Sequence, residues 1–266
     1  ARFYKADICD LKQMTEIFDK EKPSLVNHHA AQIDVRTSIA DPSEDARINI
    51  VAGVNVLELS RKSGVKKWIF ASSGGAIYGE TGSTPHLETG PVKPLSPYGI
   101  SKYAFEKYLE LYGRLYGLNY TILRYANVFG PRQIAKAEGG VIAIFIEALL
   151  KKKAPTIYGD GKQVRDFVYV EDIAAANLEA LDKAPNQIVN LSTGQPTSIA
   201  QLFEFLKNEL KFDGHPVFAH KREGEIFKSE KDFFLGGGEA FCSAHGSAFR
   251  SHGAALFRFA IRAKPP

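Results

Sequence analysis

A tyrosine and a lysine four residues apart, Tyr98 and Lys102 in the run Ser96-Pro-Tyr-Gly-Ile-Ser-Lys102, share one face of a helix beginning there. A phenol has an ordinary pKa of about 10 and is a poor base at neutral pH. An ammonium held beside it favours the phenolate, which can then act as a general base. The spacing alone is common, because it recurs at Tyr103/Lys107 and Tyr158/Lys162. Only the first pair has Ser-Pro before it and a hydroxyl-rich loop upstream, Phe70-Ala-Ser-Ser-Gly-Gly-Ala-Ile-Tyr-Gly79. There Ser72 and Ser73 can donate to or accept from a reacting oxygen, and Gly74 and Gly75 let a ligand approach the backbone. Taken alone, that segment reads equally as a turn. A third loop, His28-His-Ala-Ala-Gln32, offers small Ala30 and Ala31, suited to a flat ligand or to close packing of a strand end. Its two histidines have no partner at metal-ligand spacing and read as packing residues, so no metal is expected.

Alternating strands and helices must position these loops. Ser24 to His28 reads as a strand, and a helix follows from about Ser43, with Ile50, Val54 and Leu57 on its buried face and Gly64 ending it. Lys67 to Ala71 is the next strand, Tyr98 to Tyr116 a long helix, and Tyr120 to Leu123 a strand. The second half continues with a helix at Val141 to Leu150, strands at Thr156 to Tyr158 and Val164 to Val168, and a helix from Glu171. A strand at Gln187 to Leu191 and a helix at Ile199 to Leu210 follow. This alternation predicts an α/β fold with a Rossmann-like doubly wound parallel sheet, in which ligands sit beyond the carboxyl ends of the strands.

The composition agrees. The chain has 266 residues, 44% apolar and 24% charged, and needs no disulfide to hold a core. Cys9 and Cys242 belong to no C-x-x-C cluster, no signal peptide is visible and no apolar run approaches a membrane span, so a cytoplasmic location is expected. Of the net charge of +4, the stretch from Gly236 supplies +3 through Arg250, Arg258, Arg262 and Lys264 against Glu239. No basic face with aromatic neighbours marks the rest, which sets nucleic acid aside. Both ends differ from the body. The chain opens on Ala1, with Arg2 to Ile8 reading as a strand, as in a fragment; after Gly236 the helical pattern stops, as in a linker or a reading-frame change.

Four ordered motifs carry a family resemblance. Ser72-Ser-Gly-Gly-Ala-Ile-Tyr-Gly79, Ser96-Pro-Tyr98 with Lys102, Leu123-Arg-Tyr-Ala-Asn-Val-Phe-Gly-Pro-Arg132 and Val164-Arg-Asp-Phe-Val-Tyr-Val-Glu-Asp172 resemble the extended short-chain dehydrogenase/reductase family. Within it, residues 1 to 233 are most similar to the NAD-dependent UDP-glucose 4-epimerases. The resemblance implies that Tyr98 is the catalytic base, that Lys102 lowers its pKa and binds the nicotinamide ribose, and that Ser73 hydrogen-bonds the reacting sugar hydroxyl, with Ser72 the close alternative. It implies NAD as cofactor, contacted by Asp7 and Ile8 at the adenine, by Ala30, Ala31 and Gln32, and by Asn49, Ser72 and Tyr125. For a UDP-sugar it implies Asn127, Val141, Thr156, Tyr158, Arg165, Arg222 and Glu225. The two arginines suit a diphosphate, although each also fits a structural ion pair.

The implied reaction oxidises carbon 4 of the sugar reversibly and returns hydride to its other face, in an enzyme expected to be a homodimer. UDP-glucuronate epimerases or decarboxylases and a non-catalytic nucleotide-sugar-binding protein are the alternatives. A dehydratase needs an acid and a base where Gly74 and Gly75 stand. The family's G-x-x-G-x-x-G turn is absent from the chain. The expected sheet therefore lacks its first βαβ unit, and the chain is expected to be a crippled or inactive fragment. Expected domains are a partial NAD-binding domain over 1–130, a mainly substrate-binding α/β region over 131–235 and an aberrant tail over 236–266.

Overall fold

The computed structural model describes residues 1–79, 86–135 and 140–220. The tail from 236 lies outside them. Helix α1 (Leu11–Glu21) starts where the Asp10 carboxylate accepts from the Gln13 N–H at 3.0 Å. It leads into β1 (Leu25–His28). Two short helices follow, α2 (Val35–Ala40) and α3 (Pro42–Ala46), each capped by the aspartate before it. A π-helical stretch, Arg47–Ala52, joins α3 to α4 (Gly53–Lys62), and β2 (Lys67–Ser73) and the one-turn α5 (Gly74–Ile77) come next. The long α6 (Pro97–Tyr116) precedes β3 (Asn119–Tyr125).

The remaining described elements are β4 (Asn127–Phe129), α7 (Val141–Leu150), β5 (Thr156–Tyr158), β6 (Val164–Tyr169), α8 (Val170–Glu179), β7 (Gln187–Leu191), β8 (Pro196–Ser198), α9 (Ile199–Leu210) and β9 (Val217–Ala219). The longer elements lie where the apolar periodicity places them. The expected strand over Arg2 to Ile8 does not form. Strand β1 is an edge of its sheet, and among the described residues no strand lies beyond it to pair with that segment. Its side chains turn to α1 instead, where Arg2 donates to Glu21 at 2.8 Å and the Tyr4 hydroxyl donates to the same carboxylate.

The main sheet has the order β1-β2-β3-β7, with β1 and β2 parallel from Leu25↔Lys67 to His28↔Phe70. The chain divides into two compact units. The first is Ala1–Ile77, Val92–Arg124 and Asn177–Val189. Its core is aromatic, with Trp68, Phe70, Phe105 and Leu109 all 1% exposed or less. A Cβ at Gly53 would stand 2.8 Å from the Phe105 ring, so glycine is what lets α4 approach α6.

The second unit comprises the described residues of 78–91, Tyr125–Ala176 and the described residues from Asn190 on. Strand β6 pairs parallel with β4 and antiparallel with β8, and β5 pairs parallel with β9. Helices α7 and α9 bury Phe145, Ile146, Leu202 and Phe203 against Phe129 and Phe167. No helix among the described residues is long and apolar enough to cross a membrane.

Candidate active site

Strand β2 delivers Ser72 and Ser73 at its carboxyl end, and the two face different surroundings. Ser72 is 4% exposed, and its hydroxyl donates to the Glu106 carboxylate at 2.5 Å. Glu106 is itself held by Arg124, at 3.0 Å from Nε and 2.6 Å from NH2. Ser73 is half-buried, one residue before α5. Ser96 caps α6 by accepting from the Gly99 N–H at 3.1 Å, and Pro97 supplies a preset φ at the first turn, which fixes Tyr98 in that turn. A Cβ at Gly99 would lie 2.4 Å from the Ala76 carbonyl oxygen. The start of the helix therefore rests directly on the backbone that follows the two serines.

One helical turn on, Lys102 is 4% exposed. Its ammonium donates to the Ala71 carbonyl at 2.9 Å, lies 4.8 Å from the Phe70 ring centroid and 5.9 Å from that of Tyr98. Burial pulls its pKa down to about 8, opposed by the charges of Asp45 and Glu106. His28 behaves as packing, tilted on Trp68 and Phe105 at 5.3 and 5.7 Å. Burial, and next the Lys102 charge, push its pKa to about 3. His29 meets the Asn177 side chain at 3.3 Å.

The loop after β1 leaves Ala30 exposed and Ala31 half-buried, and ties Gln32 to Asn49 twice. The Gln32 N–H donates to Asn49 Oδ1 at 3.0 Å, and Asn49 Nδ2 donates to the Gln32 carbonyl at 2.9 Å. Asn49 sits within the π-helical stretch. Near the start of the chain, Asp7 is exposed and accepts from the Cys9 N–H at 2.9 Å, which lowers its pKa; Ile8 beside it is half-buried.

In the second unit, Tyr125 ends β3 and Asn127 opens β4, where its amide donates to the Asp166 carbonyl at 3.1 Å. Arg165, next to Asp166 on β6, is half-buried and donates to the Val164 carbonyl at 2.9 Å. Thr156 and Tyr158 flank buried Ile157 on β5, and Val141 opens α7. Arg222 and Glu225 lie outside the described residues. Thus Ser73, Tyr98, Lys102, Ala30, Ala31, Gln32 and Asn49 belong to the first unit, and Asn127, Thr156, Tyr158 and Arg165 to the second.

Residues 1–192 match the NAD dependent epimerase/dehydratase family. The chain belongs to that family. A relative from Methanocaldococcus jannaschii, provisionally named a UDP-glucose 4-epimerase, is 50% identical over 228 residues, covering 86% of this chain and 74% of the relative. The solved UDP-glucose 4-epimerase of Thermotoga maritima with UDP-glucose is 41% identical with a TM-score of 0.91, over 99% of this chain and 84% of the other. The Thermus thermophilus enzyme in complex with NAD is 35% identical with a TM-score of 0.88 over the same shares. The Rossmann-like parallel α/β fold of the family and its cofactor, NAD, are thereby established for this member.

The residues present fit the nicotinamide-ribose end of NAD. Among the described residues the Lys102 ammonium makes one hydrogen bond, leaving N–H donors for ribose hydroxyls, and exposed Ala30 leaves the end of β1 open. Two polar residues of this family member escape the sequence reading. Asp45 accepts from Gln32, Asn49 and Ser101. Glu106 pairs with Arg124 and Ser72. The one available signal for Asp45 is its i,i+4 spacing to Asn49.

Proposed function

We propose that the chain carries the chemistry of a UDP-sugar 4-epimerase, with UDP-glucose and UDP-galactose as substrates. The observation that carries this reading is the buried Lys102 ammonium 5.9 Å from the Tyr98 ring, in the same unit as half-buried Ser73. Tyr98 takes the proton of the sugar's carbon-4 hydroxyl and later returns it. Lys102, charged at neutral pH with a pKa of about 8, favours the phenolate. Ser73, whose hydroxyl is not the one bound to Glu106, hydrogen-bonds the same sugar oxygen.

NAD, when bound, would supply the acceptor and the donor of the hydride at carbon 4. Lys102 would hold its ribose, Asp7 and Ile8 its adenine, and Ala30, Ala31, Gln32, Asn49, Ser72 and Tyr125 its remaining neighbours. Arg165 and Arg222 would pair with the UDP diphosphate, and Asn127, Val141, Thr156, Tyr158 and Glu225 would hold the sugar and nucleotide. Gly74 and Gly75 give no side chain for the acid and base of a dehydratase.

The test is conversion of UDP-galactose to UDP-glucose by the purified chain at saturating NAD, alongside Tyr98→Phe. The expected result is conversion that falls about 10²- to 10⁴-fold in the variant with unchanged circular dichroism. Conversion equal in the two proteins, absent from both, or confined to UDP-glucuronate overturns the reading.

A further inference from the structure

Asp45 is 1% exposed, and its carboxylate is held by three side chains, those of Gln32, Asn49 and Ser101. Its Oδ1 accepts from Gln32 Nε2 at 3.0 Å and from Asn49 Nδ2 at 2.9 Å. Its Oδ2 accepts from the Ser101 hydroxyl at 2.6 Å, and Ser101 immediately precedes Lys102 on α6. Among the described residues no lysine or arginine forms an ion pair with it. A buried carboxylate is costly unless its charge is compensated. Three hydrogen-bond donors stabilise the anion without neutralising it.

The other buried carboxylate acting on Lys102 is already neutralised, since Glu106 meets Arg124 at 2.6 Å. The remaining titratable groups beside the lysine are Tyr98, its ring centroid 5.9 Å from the ammonium, and the imidazoles of His28 and His29. Burial holds both imidazole pKa values below their ordinary range, so both are neutral at pH 7. Asp45 is then the buried carboxylate of this corner with no cation paired to it among the described residues.

We propose that Asp45 is the positioning residue and counter-charge of Lys102, tying the loop after β1 and the π-helical stretch to the turn of α6 that carries the lysine. The proposal rests on Lys102 serving the epimerase reaction described above, and it adds a role for a residue that acts through Gln32, Asn49 and Ser101.

Nuclear magnetic resonance titration of the full chain, ¹³C-labelled at lysine Cε, reads Lys102 without substrate or NAD. The expected result is a Lys102 midpoint lowered by about one to two pH units in Asp45→Asn. Ser101→Ala keeps the charge and is expected to leave the Lys102 midpoint within about half a pH unit. Where Asp45→Asn does not fold, Asp45→Ser, which also removes the charge, is read in its place. An unmoved midpoint, or an equal shift in Ser101→Ala, overturns the proposal. Failure of the epimerase reading shows separately, as absent turnover in the wild type. In an active chain the alkaline limb of kcat moves down in pH in Asp45→Asn, because the lysine loses its proton sooner.

Discussion

Two buried carboxylates, one in each unit, are held in opposite ways. Glu106 in the first unit is fully buried and held by side chains, the guanidinium of Arg124 and the hydroxyl of Ser72. Asp166 in the second is equally buried and is held largely by the main chain. It accepts from the N–H groups of Thr193 at 2.9 Å and Gly194 at 2.7 Å, and from the Thr193 hydroxyl at 2.8 Å. The first arrangement sets a full charge against a full charge. The second sets a full charge against dipoles, and burial keeps the Asp166 pKa above the usual carboxylate range despite those bonds. A side-chain partner can be lost by one substitution, whereas a main-chain N–H persists under every substitution except proline.

Glu106→Gln tests that distinction most severely. It takes the negative charge out of the buried Arg124–Glu106 pair and is expected to lower stability by about 3–5 kcal/mol in urea unfolding. Asp166→Asn removes a charge that no cation among the described residues balances and leaves main-chain donors with a poorer acceptor. The expected loss is smaller, about 1–3 kcal/mol by the same method. Equal losses would erase the contrast.

His28 sharpens the comparison from the side of a group that must stay neutral. Its folded pKa of about 3 lies below its ordinary value of 6.5, so the unfolded chain binds the extra proton. Stability is therefore expected to fall as pH drops from 6.5 towards 3, by at most about 1.4 kcal/mol for each pH unit. His28→Leu should flatten that slope; a slope unchanged in the variant would mean that other groups control it.

Much of this was legible in the residues themselves. The Ser-Pro start of α6, the run of β2 and the periodicity of α7 and α9 are local signals, and those elements form where the signals lie. Helix α2 and strands β4, β8 and β9 are too short for a period to show. The segment from Arg2 to Ile8 has the composition of a strand, but a strand also needs a neighbour. The choice between Ser72 and Ser73 as the reacting hydroxyl could not be settled from order in the chain. Glu106, 34 residues on, distinguishes their environments by taking one of the two hydroxyls. Asp45 stayed hidden for the same reason, since Ser101 is 56 residues away.

The path of the chain through its two units has a consequence for how such a protein can change. It passes from one to the other at 77/78, 91/92, 124/125, 176/177 and 189/190. No single cut of the gene releases either unit as a continuous reading frame, so neither can be exchanged whole by recombination at one site. A change confined to either unit must then arise by replacing individual residues in place, in segments that alternate along the chain with those of the other.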